Sequence, residues 1–228
     1  MARLDPTTPR KPKQGEQYLG KVILFCEGHT ENNYFDHFAT IINNNQNKYS
    51  HIEVVPILAD GNARRVLNFA NEYMSDENHA KKYSMYYKYL IFDCDDPDDI
   101  SQVIFDMRRA NSYTLMPTNL VFETWLLMHF EDISSPLTKS KTYQNLADAL
   151  GIGYYGDKEK ASEGIIRKII GNGDSVRMAI INAKRLDQIY QDKNYTIEKD
   201  IKEMNPYTAL HILVENIFIE LQRADSIL

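Results

Sequence analysis

Cysteine, tryptophan and glycine are scarce in this 228-residue chain. The two cysteines, Cys26 and Cys94, each lie inside an apolar stretch, and no Cys-x-x-Cys pair occurs. That argues against a disulfide framework and a cysteine zinc site, and makes a reducing cytoplasm the simplest setting. The few glycines form no phosphate-cradling loop. Gly151-x-Gly153 and Gly171-x-Gly173 follow no strand and read as helix-ending turns. No apolar run approaches the roughly 18 residues of a membrane span. The opening "MARLDPTTPRKPKQGE" (residues 1–16) lacks the apolar stretch of a signal peptide and reads as a disordered, basic, proline-rich arm. There is no excess of positive charge. The net charge is −6, so contact with phosphate would need a local basic surface or a bound metal.

What is present is a globular core composition, 43% hydrophobic. "KVILFCEG" reads as a buried parallel strand stopped by Gly28, which lets the chain turn into the next helix. "HTENNYFDHFATII" follows as a helix, with Thr30 as a candidate cap and Glu31 suited to its positive end. "HIEVVPIL" is a second strand, and Pro56 places it at an edge or near its end. "GNARRVLNFANEYM" is a helix, "YYKYLIFD" a strand, "DPDDISQVIFDMRR" a helix and "SYTLMPT" a short fourth strand. "NLVFETWLLMHF" opens a very apolar helix. This alternation predicts an α/β fold with a mainly parallel sheet of about four strands flanked by helices, over residues 17–130. Residues 131–228 read as a helical extension packed on it. Its last helix is expected to be capped by Asn205 with Pro206 in first position, burying Leu210, Leu213, Val214, Ile217 and Leu221, with Ile212, Phe218 and Ile219 widening the stripe.

"FDCDDPDD" packs five aspartates into one turn region. Asp96, Pro97, Asp98 and Asp99 suit a helix start, as cap, first residue and first-turn carboxylates. Asp98 can also be read as a metal ligand. Asp93 and Asp95 stand instead at a strand end, where open parallel sheets bind ligands. Glu27 also follows a buried strand directly. Three carboxylates from two strand ends suit a hard cation, Mg²⁺ or Mn²⁺. Glu123 is an odd carboxylate in an apolar stretch, either a surface position or a fourth group facing the same crevice. His129 lies six residues on, about 240° around a regular helix, so the two do not share a face. Trp125 reads as core. Arg64, Arg65, Lys139, Lys141, Lys158, Lys160, Arg167 and Lys168 are the basic residues available to a phosphate backbone.

Four blocks, "VILFCEGHTENNYF", "YLIFDCDD", "TNLVFETWLLMHF" and "NPYTALHILV", resemble in order and spacing the RloB family of prokaryotic abortive-infection proteins. The resemblance implies a Toprim-like domain, with Mg²⁺ (or Mn²⁺) held by Glu27, Asp93 and Asp95 for phosphodiester chemistry. The glutamate and histidine of the third block fall on Glu123 and His129. Glu27, Glu123 and His129 are therefore the catalytic candidates, and Glu27, Asp93, Asp95 and Asp98 the metal candidates. The resemblance further implies a nuclease effector in phage defence, a nucleic-acid substrate and an ATPase partner of the ABC/AAA type; a homo-oligomer is compatible with it. The sequence departs from the family's habit at Cys94, often basic, at Leu120, often proline, and at His29, often lysine or another polar residue.

Three rival readings differ in class. A haloacid dehalogenase-like phosphatase would place its Asp-x-Asp after the first strand and Thr or Val where Pro97 stands. An EF-hand fails because position twelve of the loop is Ile104 and position six is not glycine. A non-catalytic adaptor or regulator of the partner ATPase is the alternative function.

Overall fold

Residues Lys21–Cys26 form strand β1, and Val22 to Cys26 are sealed from solvent. An unbroken apolar run of this kind belongs to a strand covered on both faces. The computed structural model describes residues 20–95, 100–110, 112–171 and 173–226. After β1 the chain forms α1 (His29–Asn44), β2 (Glu53–Leu58), α2 (Ala63–Ser75), α3 (Glu77–Lys82), β3 (Tyr87–Asp93), α4 (Ile100–Ala110) and β4 (Thr114–Asn119). It continues through α5 (Glu123–Leu127), α6 (Lys139–Leu150), α7 (Asp157–Lys160), α8 (Glu163–Ile170), α9 (Asp174–Asp192), α10 (Ile197–Asp200), β5 (Tyr207–Thr208) and α11 (Leu210–Ser226).

The five strands form one sheet in the order β2-β1-β3-β4-β5. β1 to β4 are parallel, and β5 pairs antiparallel with β4. α1 packs on β2, and α2 packs on β3 and against α4, as the right-handed rule for parallel crossovers in this strand order requires of helices on two faces. Pro56 is tolerated because β2 is an edge strand. The chain leaves β1 toward β2, then crosses back over β1 to reach β3. This reversal makes the gap between β1 and β3 the switch point of the sheet, where ligands bind in open α/β folds.

The C-terminal region differs from the expected all-helical extension. Tyr207–Thr208 add a strand to the sheet, so α11 starts at Leu210 and not at Pro206. Asn205 does not cap that helix. Its side chain accepts from the Leu137 N–H (3.2 Å) and donates to the Leu137 carbonyl (2.9 Å). A helix from Pro206 would forfeit those bonds and the pairing of Thr118 with Thr208. On α11 the predicted inner face is buried, but Ile212 and Ile219 are exposed.

The apolar stretch after β4 gives only a short helix, α5, and all five of its residues are buried. Its end is held from α9, where the Asn182 amide donates to the carbonyls of Met128 (2.9 Å) and Glu131 (3.0 Å). Carbonyls left free by the helix end therefore find a partner inside the protein. Trp125 is core, as its setting in the sequence suggests.

Candidate active site

β1 and β3 end side by side, and their carboxyl ends open onto a crevice of about 410 Å³. Glu27 follows β1. Thr30 and Glu31 come from the first turn of α1, Asp93 and Asp95 from the end of β3, and Glu123 from the start of α5. Lys139 and Tyr143 of α6 and Lys160 of α7 reach in from the C-terminal half of the chain.

The backbone holds the first pair. The Glu27 N–H donates to the Ile91 carbonyl (3.1 Å), extending the β1–β3 ladder by one bond. The Asp93 N–H donates to Glu27 Oε2 (3.0 Å). Asp93 Oδ1 is shut off from solvent and has no hydrogen-bond partner among the described residues. A buried carboxylate oxygen without a partner carries a large desolvation cost.

The second tier is held by lysines. Lys139 Nζ contacts Asp95 Oδ2 at 2.6 Å, and Lys160 Nζ lies 3.8 Å from Glu123 Oε1. Lys139 is the first residue of α6, where the helix dipole disfavours a cation. The carboxylate of Asp95 supplies the compensating interaction. Glu123 also accepts from the Thr30 hydroxyl (3.4 Å). Thr30 therefore does not cap α1; Gly28 occupies the cap position, with no side-chain bond. Gly28 has an extended backbone (φ −135°), so a left-handed turn is not what it provides. It makes room instead: a Cβ there would lie 3.0 Å from Glu31 Oε2.

Burial and mutual repulsion raise the proton affinity of the whole cluster. Glu27 is pushed up to about 8, first by burial and then by Glu31 and Asp95, against the Asp93 N–H and Lys139. Glu31 rises to about 7, through burial and the charge of Glu123. Asp93 is raised well above the usual carboxylate range by burial and by Glu31, Glu27 and Glu123. Glu123 is raised by burial, with Lys160 opposing. Groups so perturbed in a cleft mark a candidate functional site.

Of the basic residues named from the sequence, Lys139 and Lys160 line the crevice. Arg64 is engaged by Asp106, Lys141 by Gln144, Arg167 by Glu163 and Lys168 by the Leu150 carbonyl. Asp98 lies outside the described residues, as do Asp96, Pro97 and Asp99. His129 lies outside the crevice. It is buried, with Nε2 3.3 Å from the Tyr34 hydroxyl, and burial lowers its pKa to about 3. Its imidazole is neutral throughout the physiological range and ties α1 to the end of α5. His129→Ala is expected to cost about 2–4 kcal/mol of stability, by opening a cavity and stranding the Tyr34 hydroxyl. Urea denaturation checks this; an unchanged midpoint would mean that the bond is idle.

Among the described residues, no three His, Cys, Asp or Glu side chains stand close enough together to hold a metal ion as they are. The donor set nonetheless suits a hard cation. Mg²⁺ is commonly bound through one or two carboxylates and completes its shell with water and phosphate oxygens. Asp93 Oδ1, with no partner among the described residues, offers one such ligand, and Glu27 and Asp95 line the same crevice.

Thr30, Glu31 and Tyr143 were not legible as site residues. Glu31 looks like an ordinary first-turn carboxylate, and only folding shows that it is buried against Glu123.

The profile of the RloB-like protein family matches residues 22–217. The chain belongs to the RloB-like protein family. The match runs from β1 into α11, so it takes in the crevice and the helices that roof it. A search of curated proteins and a search of solved structures returned no match. No helix among the described residues is long and apolar enough to cross a membrane.

Proposed function

We infer that this protein is a metal-dependent phosphodiester hydrolase, a nuclease with a Toprim-like site at the β1–β3 switch point. The observation that carries the reading is the pair Glu27–Asp93, joined through a backbone hydrogen bond, with Asp93 Oδ1 buried and without a partner among the described residues. The positions of the pair support the Toprim-like assignment, a glutamate after the first strand and Asp-x-Asp after the third.

Asp93 and Asp95, with Glu27, would hold Mg²⁺ or Mn²⁺. Bound there, the ion supplies positive charge that offsets the carboxylates and the charge developing on the phosphate oxygens. Glu27 would either take its place among the ligands of that ion or act as general base toward the attacking water. Lys160 and Lys139, which line the same crevice, would orient and neutralise the phosphate. Lys139 must exchange its Asp95 contact for that purpose. Family membership supports a role as effector in an anti-phage abortive-infection system, acting with an ATPase partner of the ABC/AAA type.

The test is cleavage of plasmid DNA, single-stranded DNA and RNA with Mg²⁺ or Mn²⁺. Wild type is expected to cut at least one of them, and EDTA to stop it. Equal products from wild type, Glu27→Gln and Asp93→Asn would remove this site from consideration.

The adaptor reading has one observation in its favour. Met178 and Ile181 of α9 and Ile212 of α11 are exposed apolar side chains, which suit contact with another protein. It predicts that Glu27→Gln still forms the complex and still protects cells, whereas the nuclease reading predicts assembly without protection.

A further inference from the structure

A second cavity, of about 340 Å³, lies along one face of α6 and shares Tyr143 with the acidic crevice. Ser140, Tyr143, Gln144 and Ala147 present one face of that helix, and Tyr154 and Tyr155 close it from the following loop. Tyr143 borders both cavities. Its hydroxyl accepts from Lys160 Nζ (2.8 Å), and that ammonium also lies 4.5 Å from the centre of the Tyr143 ring. The same Lys160 faces Glu123 in the acidic crevice.

Tyr155 is buried beneath Tyr143, their ring centres 5.9 Å apart. Tyr154 is different. It is 75% exposed, and its ring lies back over Gly156, where a Cβ would come within 2.3 Å of a ring carbon. The ring is therefore placed by close contact with the chain at Gly156 while most of its surface is offered to solvent. The rim is polar, with the Ser140 hydroxyl, the Gln144 amide and the Asp148 carboxylate.

We propose that the groove between Tyr143 and Tyr154 is a nucleobase-stacking subsite, and that the substrate of the adjoining crevice is an unpaired nucleic-acid strand. The proposal rests on reading that crevice as a phosphodiester site. Aromatic faces bind any base by stacking, and hydroxyl, amide and carboxylate groups read base edges. Lys160, at the seam, supplies the positive charge for the phosphate that links a stacked base to the crevice. The chain has a net charge of −6, so backbone attraction alone is a weak source of affinity and stacking has to contribute. A base in a duplex is already stacked and paired, and cannot enter a groove on a helix face without being extruded.

The test is fluorescence anisotropy with Ca²⁺ as the cation, using labelled single-stranded RNA, single-stranded DNA, the same DNA as a duplex, and a strand with abasic sites. Tyr154→Ala is expected to weaken binding of at least one base-bearing single strand about tenfold. Binding of the abasic strand should be unchanged. Gly156→Ala, which displaces the tyrosine ring without removing it, is expected to act in the same direction. Whichever single strand binds tighter names RNA or DNA as the source. Equal affinity of wild type and Tyr154→Ala overturns the proposal. So does equal weakening on the abasic strand, preference for the duplex, or absence of binding to every oligonucleotide, which would leave the groove to a protein partner. Cleavage measured alongside separates the two readings. Cleavage without base-dependent binding removes the subsite alone, whereas base-dependent binding without cleavage removes the phosphodiester reading alone.

Discussion

Asp93→Asn is expected to reduce phosphodiester cleavage by at least about a hundredfold and to make the protein more stable. The two effects have one cause. Asp93 ends a buried strand, its Oδ1 has no partner among the described residues, and its proton affinity is raised by burial and by Glu31, Glu27 and Glu123. A carboxylate kept for structure would be paired. This one is held in a setting that disfavours its charge, which is the signature of a group kept for chemistry. Asparagine has the same shape without the charge, so repulsion in the cluster falls. The gain should be roughly 1–2 kcal/mol at pH 8, or a few degrees in melting temperature for a domain of this size. Calorimetry and single-turnover cleavage measure the two quantities on one preparation. A fall in stability with activity intact would make Asp93 a structural residue.

Stability of the metal-free protein is expected to decline as pH rises from about 5 to about 8. Glu27 moves from 4.5 in the unfolded chain to about 8 when folded, and Glu31 from 4.5 to about 7. Between those values the folded protein retains protons that the unfolded chain has released. Raising the pH therefore favours unfolding, by up to about 1.4 kcal/mol per pH unit for each group. Above about 8 Glu27 and Glu31 are ionised in both states, and these two groups contribute no further decline. A divalent cation that binds the ionised cluster should restore the loss, by about 2.7 kcal/mol at a hundred times its dissociation constant. The same ion should do little at pH 5, where the folded cluster is protonated. Urea midpoints at pH 5 and pH 8, with EDTA or Mn²⁺, test both parts. A flat profile, or a Mn²⁺ effect equal at the two pH values, would show that the cluster is not the seat of the shift.

Much of this molecule could be read before it was folded. β1 is legible because its five residues from Val22 are apolar without a break. α6 and α9 follow from their apolar spacing, and Gly151 ends α6 in a left-handed conformation (φ 66°). Glu27, Asp93 and Asp95 stand out as carboxylates placed directly after buried strands. Asn205 misleads, because Asn-Pro suits a helix start just as well as the loop that feeds β5. His129 differs again: its place in the block does not reveal that it is buried beside the Tyr34 hydroxyl and does not line the crevice.

The sequence by itself determined the alternation of strands and helices and the presence of carboxylates at strand ends. Both follow from local rules, since apolar periodicity and the position of a residue after a strand are readable within a dozen neighbours. Only the tertiary structure decided that β1 and β3 are adjacent, and so that Glu27 meets the Asp93 amide. Only it decided that Glu31 and Glu123 share their buried space, and that Lys139, Tyr143 and Lys160 roof it from a part of the chain with its own helical pattern. Strand order and the docking of helices depend on which surfaces fit best across the whole fold, and no window of sequence contains that information.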